Sequence, residues 1–229
     1  MRIFLLFLLL PGWLLASPAA ERTCRILFLD APDEAPEKLF LFDGVQSQQV
    51  DLPRMNLSRI YKLPPGATQL CLLASPVTDP AAVPAGAPRV DIPESADGIY
   101  LILAHDPANP VAPVRMQVVD ASSARLRSGQ MRWFNLTPHA IGGIVGSEKL
   151  SMASRSQVTL QAPANGNADY DVRLAYRISG EEQYRPICET KWRHDPRSRF
   201  IVFVIGDHAN CSPRVMAFPD YRAAPAEKQ

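Results

Sequence analysis

Residues 100–120 read YLILAHDPANPVAPVRMQVVD, and residues 200–220 read FIVFVIGDHANCSPRVMAFPD. The two stretches align without a gap, because each has an aromatic residue before an apolar run, then a polar loop, and then a proline, a methionine and a closing aspartate. The matching residues are Pro113 with Pro213, Met116 with Met216 and Asp120 with Asp220. This offset is too long for solenoid or propeller repeats, which run at about 20–50 residues, and it therefore indicates a duplicated domain.

A looser similarity between residues 24–32 (CRILFLDAP) and residues 130–138 (QMRWFNLTP) indicates that both copies also begin alike. The apolar runs of the chain are short and are bounded by turn-forming residues, including many of its 22 prolines. This pattern is typical of strands joined by turns, since proline ends helices and sits in loops or at strand edges. The sequence predicts an all-β fold of two tandem immunoglobulin-like β-sandwich domains that arose by duplication.

The repeats also set the expected domain limits. The Ala- and Pro-rich residues 75–98 are predicted to form a surface loop inside the first domain, because the duplicated hairpin comes after them. We place a signal peptide at residues 1–19, the first domain at residues 20–121, the second domain at residues 129–222 and a disordered tail at residues 223–229.

The N-terminus resembles a secretory signal peptide. Arg2 is its only charge, residues 3–15 are apolar, and small side chains follow at Ser17 and Ala19. An uncleaved anchor is the alternative, but the apolar run is shorter than the ~20 residues that a spanning helix needs. Polar residues before Cys24 argue against a lipoprotein. We expect a periplasmic, outer-membrane-associated or secreted protein with no transmembrane segment after cleavage.

The charge balance argues against partners that are recognised by charge alone. The chain has 24 basic and 23 acidic residues, a formal net charge of +1. A nearly neutral protein is not steered towards a phosphate backbone or an acidic membrane, so we expect no nucleic-acid partner. A protein or glycan of the cell envelope is the expected partner.

Four cysteines in an exported chain favour disulfide bonds over metal ligands. The domain division favours Cys24 with Cys71 in the first half and Cys188 with Cys211 in the second. A zinc site is the alternative, but the sequence has no CxxC pair, which structural zinc sites commonly use.

Residues 25–44 (RILFLDAPDEAPEKLFLFDG) and residues 60–72 (IYKLPPGATQLCL) resemble the opening of a secreted bacterial family of unknown function. In that family a strand leads into an ASPDAP-like turn and a VDVYVDG-like hairpin, and a later tyrosine precedes a PAG-like turn. The resemblance implies an immunoglobulin-like β-sandwich outside the cytoplasm. It implies no reaction.

The sequence contains none of the common catalytic motifs. GxSxG, HExxH, SxxK and P-loop spacings are all absent, so we expect no enzyme, no catalytic residues, no metal and no cofactor. His105 with Asp106 and Asp207 with His208 follow matching strands, and such pairs can bind a metal or move protons. A secreted hydrolase is therefore an alternative, although polar residues usually mark where a buried strand reaches water.

Trp192, Arg193 and Arg197 are the candidate partner-contact residues. They lie in a basic segment, KWRHDPRSR, and tryptophan and arginine are enriched where binding energy concentrates. An exposed hairpin with Asp-Pro as its turn is the alternative interpretation of this segment.

The sequence thus favours a non-enzymatic exported envelope protein that acts in binding or structural interaction. A periplasmic assembly chaperone of two immunoglobulin-like domains is the alternative. In that class the last strand of the first domain presents alternating apolar residues to a client strand, and Val114, Met116 and Val118 alternate in this way.

Overall fold

The structure, a computed structural model, describes residues 21–206 and 212–221. The predicted signal peptide, the predicted tail and the residues Asp207, His208 and Cys211 lie outside the described residues. Among the described residues, no helix reaches the length and hydropathy needed to span a membrane. The regular structure in those ranges is sixteen β-strands and one turn of 3₁₀ helix, Pro80–Ala82.

The strands divide into two sets of eight. The first domain contains β1 (Thr23–Phe28), β2 (Lys38–Phe42), β3 (Ser47–Asp51), β4 (Tyr61–Lys62), β5 (Thr68–Leu73), β6 (Arg89–Ile92), β7 (Gly98–His105) and β8 (Val114–Asp120). The second domain contains β9 (Met131–Asn135), β10 (Ala140–Val145), β11 (Glu148–Met152), β12 (Gln157–Leu160), β13 (Asp169–Arg177), β14 (Arg185–Arg193), β15 (Ser198–Gly206) and β16 (Pro213–Tyr221).

Both domains have the same sheet topology. The sheets of the first domain have the strand orders β4-β1-β7-β8 and β3-β2-β5-β6, and those of the second have β12-β9-β15-β16 and β11-β10-β13-β14. In each domain the first and seventh strands pair in parallel, and the other strand pairs are antiparallel. The prediction of two β-sandwich domains related by duplication is therefore confirmed at the level of strand order.

The two sandwiches stack through their inner sheets, β4-β1-β7-β8 and β12-β9-β15-β16. Alternate residues of these strands face the core of their own sandwich, and the residues between them face the other domain. The side chains that meet there form one cluster, which we call the interdomain cluster. Its buried members are Leu27, Leu29, Leu57, Tyr100, Ile102, Val119, Ala121, Leu126, Phe134, Ile201, Phe203, Ile205 and Phe218. The central strands of the inner sheets, above all β7 and β15, are thus buried on both faces.

Hydrogen bonds between matching strands define which residues of the two domains correspond. The amide of Leu29 donates to the carbonyl of Leu103 at 2.9 Å, and the amide of Leu136 donates to the carbonyl of Val204 at 2.8 Å. Leu29 therefore corresponds to Leu136, and Leu103 to Val204. This correspondence differs by one residue from the register of the ungapped alignment.

The shift places the aligned residues on opposite faces of their sheets. Met116 packs against the core of the first sandwich, whereas Met216 packs against the interdomain cluster. Because side chains alternate along a strand, a shift of one residue exchanges the two faces. The ungapped residue-by-residue alignment is therefore wrong, although the duplication that it indicated is real.

The predicted bond between Cys24 and Cys71 is also wrong. Cys24 faces the core between the two sheets, whereas Cys71 points to the opposite face of its own sheet, where a separate apolar cluster covers it. Both thiols are free, and burial raises the pKa of Cys24 to about 12. Cys188 is a free thiol as well, so the predicted bond between Cys188 and Cys211 is also wrong.

Candidate functional site

A cleft of about 760 Å³ opens between the two domains, beside β8 on one side and the ends of β9 and β12 on the other. Its floor consists of apolar members of the interdomain cluster: Leu29, Ile102, Val119, Phe134 and Phe203. Its polar rim consists of Arg115, Gln117, Arg155, Ser156 and Gln157. A concave site with an apolar floor and a few polar groups is typical of ligand-binding pockets.

The cleft exists because β8 and β16 carry side chains of different size at matching positions. Val119 pairs with Tyr100, and Phe218 pairs with the corresponding residue of the second domain, Ile201. Val119 therefore stands where the second domain has Phe218. Two residues earlier, Gln117 likewise stands where the second domain has Met216, which packs against the interdomain cluster. The smaller or more polar side chains of β8 leave this side of the interface unfilled.

The loops that lead into β4 and β12, the fourth strands of the two sandwiches, also leave the cleft side of the interface less filled than the opposite side. The amide of Phe28 bonds to the carbonyl of Pro53, and the amide of Asn135 bonds in the same way to that of Ser156, so the two connections start at matching points. The first domain has a longer connection, and its Leu57 is buried in the interdomain cluster. The second domain enters β12 directly after Ser156, and the space stays open.

Two unpaired arginines give the cleft a positive rim. In residues 21–206 and 212–221, the guanidinium groups of Arg115 and Arg155 form no ion pair and no hydrogen bond. Among the described residues, the lining includes no aspartate or glutamate. Arg155 also has a φ of 51°, in the left-handed region that residues other than glycine seldom adopt. Strained residues of this kind concentrate at binding sites, and the charge pattern favours an anion.

Neighbouring polar residues hold the wall of the cleft in place. Arg132 donates from Nη2 to Oε1 of Gln157 at 3.1 Å and lies over the ring of Phe134, 5.9 Å from its centroid. The side-chain nitrogen Nδ2 of the fully buried Asn135 donates to the carbonyls of His139 and Ala153, both at 2.7 Å. Because Asn135 Nδ2 is hydrogen-bonded within the protein, Asn135 shapes the wall of the cleft. The polar side chains of the rim are the groups that remain available to a ligand.

The opposite side of the interface is closed by what we call the interdomain charge cluster. Asp220, whose side chain is 1% exposed, accepts hydrogen bonds from the hydroxyl of Tyr100 at 2.6 Å, from Nε of Arg199 at 2.8 Å and from the guanidinium of Arg25. Nη1 of Arg199 donates to the carbonyl of Leu126 at 2.8 Å. Tyr100 and Arg25 belong to the first domain, so the cluster joins the two inner sheets.

The predicted contact residues do not form one surface. The ring of Trp192 stacks on that of Trp133, with centroids 5.9 Å apart, and packs against the core of the second sandwich. Arg193 is exposed and pairs with Asp169 at 3.3 Å, and Arg197 is exposed and pairs with the carboxylate of Asp195. Trp192 therefore stabilises the fold, and a contact role for Arg193 and Arg197 stays a prediction.

The predicted His and Asp loops can be only half described. His105 is exposed at the end of β7, and the amide of Asp106 bonds to the carbonyl of Pro113 at 2.9 Å. Asp207 and His208 lie outside the described residues. In the part of the chain that the structure describes, no three His, Cys, Asp or Glu side chains are grouped as a metal site would require.

The strand that supported the chaperone alternative faces inward. Val114 is fully buried, and Met116 and Val118 pack against the core of their own sandwich. Val114 is fully covered and the other two side chains are partly covered by their own sandwich, so its packing accounts for the alternation that suggested a client-binding strand.

His194 gives the protein a source of acid sensitivity. It is almost completely buried below the β14–β15 turn, and burial lowers its pKa below the usual 6.5, partly opposed by the carboxylate of Asp195. The unfolded chain therefore binds a proton more readily than the folded protein. This contribution to stability is complete above pH ~6.5 and is lost as the pH falls through the lower pKa of the folded state.

We expect the melting temperature to fall as the pH is lowered from about 7.5 to about 5.5, and to fall less in His194→Asn. Thermal melts of both proteins across this range, followed by circular dichroism, measure the difference. Parallel curves for the two proteins would contradict the assignment to His194.

Comparison of the chain with protein-family models and with curated protein sequences finds no match. The resemblance to the secreted bacterial family stays a prediction.

Proposed function

We propose that this protein is a non-enzymatic, exported protein of the cell envelope that binds a ligand or partner in the cleft between its two domains. The observation that carries the proposal is a rim of two arginines over an apolar floor, where the described part of the chain supplies neither a partner for these arginines nor a carboxylate in the lining. Positive charge at the rim and apolar side chains on the floor of one concave site are what a ligand of complementary charge and apolarity would contact.

The packing of the domains supports a preformed site. Both walls belong to the stacked inner sheets, whose central strands are buried on both faces, and the interdomain charge cluster fixes these sheets on the opposite side of the interface. A preformed cleft binds more tightly because less conformational freedom is lost on binding. Neither a hydrolase nor an assembly chaperone has comparable support among the described residues.

The test compares the wild-type protein with Gln117→Met/Val119→Phe, which we call the cleft-filling variant. It introduces the side-chain types found at the matching positions of the second domain, so a folded product is expected. Gln49→Met, which adds a methionine on the exposed face of β3, is the matched control. Each immobilised protein is incubated with envelope extract, and bound molecules are identified by mass spectrometry.

We expect the wild type and Gln49→Met to retain the same molecule and the cleft-filling variant to lose it, while all three keep the same melting temperature. Equal retention by a folded cleft-filling variant would show that binding occurs elsewhere. Export itself is checked by N-terminal sequencing of the purified protein, which should begin after Ala19 or Ala20.

A further inference from the structure

We propose that the cleft binds an amphipathic carboxylate: a small molecule with one carboxylate group and an aliphatic body. The inference rests on the proposed function and adds the chemical class of the ligand. It follows from three properties of the cleft, which are its size, its charge and the division between its rim and its floor.

The size of the cleft fits a small molecule. Its volume of about 760 Å³ falls within the range of ~300–1,000 Å³ that is typical of small-molecule sites. It is bounded by both domains, and its floor is continuous with the interdomain cluster. An aliphatic chain placed on this floor would continue the packing that Met216 and Phe218 provide on the opposite side of the interface.

The charge of the cleft selects an anion, and the side-chain type favours a carboxylate. Arg115 and Arg155 come from different domains and present planar guanidinium groups, which bind carboxylates through two parallel hydrogen bonds. The lining residues within 21–206 and 212–221 carry no acidic group that could bind a cation. A ligand with its carboxylate at the rim and its chain on the floor satisfies both surfaces.

The experiment is calorimetric titration of the purified protein with sodium octanoate, decanoate and dodecanoate below their micelle concentrations. We expect binding, with an affinity that rises up to about fourfold for each added methylene that the floor covers. Dodecyltrimethylammonium has the same aliphatic chain with the opposite charge, and we expect it to bind at least about tenfold more weakly. Equal affinity for the cation would overturn the proposal.

Two variants locate the binding. In Arg115→Gln/Arg155→Gln the cleft remains but its positive rim is removed, and we expect dodecanoate to bind at least about tenfold more weakly, since each charged hydrogen bond is worth about 1.5 kcal/mol or more. The cleft-filling variant should not bind detectably, and Gln49→Met should bind as the wild type does. If either Arg115→Gln/Arg155→Gln or the cleft-filling variant is folded and binds dodecanoate as the wild type does, the assignment of binding to the cleft is wrong.

The ligand class and the proposed function can fail separately. If dodecanoate does not bind but the cleft-filling variant still loses its molecule from envelope extract, the carboxylate class is wrong and the proposed function stands. If neither dodecanoate nor any extracted molecule depends on the cleft, both proposals are wrong.

Discussion

Replacing Asp220 with alanine is expected to lower the free energy of unfolding by about 3–5 kcal/mol. The carboxylate is buried between the domains, and its loss leaves the guanidinium of Arg199, whose side chain is 3% exposed, without its counter-ion. It also removes the acceptor for the hydroxyl of Tyr100. An unpaired buried charge destabilises a protein far more than the net stability that an intact pair contributes. Urea denaturation of wild type and variant measures the difference.

Asp120→Ala is the matched control, because the ungapped alignment treats Asp120 and Asp220 as equivalent. Asp120 is partly exposed, accepts a hydrogen bond from the amide of Ser122 at 2.9 Å and lies 3.7 Å from Arg125. Loss of an exposed pair costs about 0–1 kcal/mol, and loss of one local hydrogen bond costs about 1 kcal/mol. Equal destabilisation by the two substitutions would contradict the register that the structure assigns.

Gly143→Ala is expected to destabilise the second sandwich by about 3 kcal/mol or more, the upper end for overpacking. Gly143 lies in the middle of β10, opposite Leu174 of β13, where the register of β13 with β14 shifts. A Cβ atom at this position would overlap the backbone carbonyl of Arg173. Because the obstacle is backbone, no change of side-chain rotamer can relieve the overlap, and the strand pair has to separate.

The neighbouring substitution Gly142→Ala is the control. A Cβ atom there would first meet the ring of Tyr184 at 3.4 Å, an ordinary contact with a side chain that is about half exposed. We expect a change within about 0.5 kcal/mol, because surface substitutions without a special contact have effects of this size. Calorimetric unfolding of both variants gives the comparison, and similar stabilities would refute the close approach of β10 to β13.

The fold class could be predicted because turns and short apolar runs are local properties. The run from Ile99 to Leu103 is apolar at every position, which indicates a strand buried on both faces. The register between the copies could not be predicted in the same way. An ungapped alignment matches residue types, and both faces of β7 and β15 are apolar, so a shift of one residue leaves the apparent similarity almost intact.

The disulfide prediction failed for a related reason. Cysteine number and compartment favour pairing, but a bond also needs two side chains on the same side of their strands. Cys71 stands between Leu70 and Leu72, both of which face the first core. Strand alternation therefore turns Cys71 away from that core and from Cys24.

The cleft could not be predicted from the sequence, because its lining residues lie far apart along the chain. Arg115 and Arg155 belong to different domains, and only the stacking of the inner sheets brings them to one rim. Trp192 shows the converse: a tryptophan among basic residues suggested a contact surface, but the strand turns its ring onto Trp133. Residue type alone does not distinguish these two outcomes.

The stacked inner sheets have a consequence for the symmetry of the chain. Corresponding faces of the two copies bury each other, with β8 against the second copy and β16 against the first, which is the isologous arrangement of a two-fold symmetric homodimer. The protein thus has, within one polypeptide, the arrangement of a homodimer. Unlike the subunits of a homodimer, the two halves of one chain need not be identical in sequence, so one end of the contact is sealed by charged residues while the other is open.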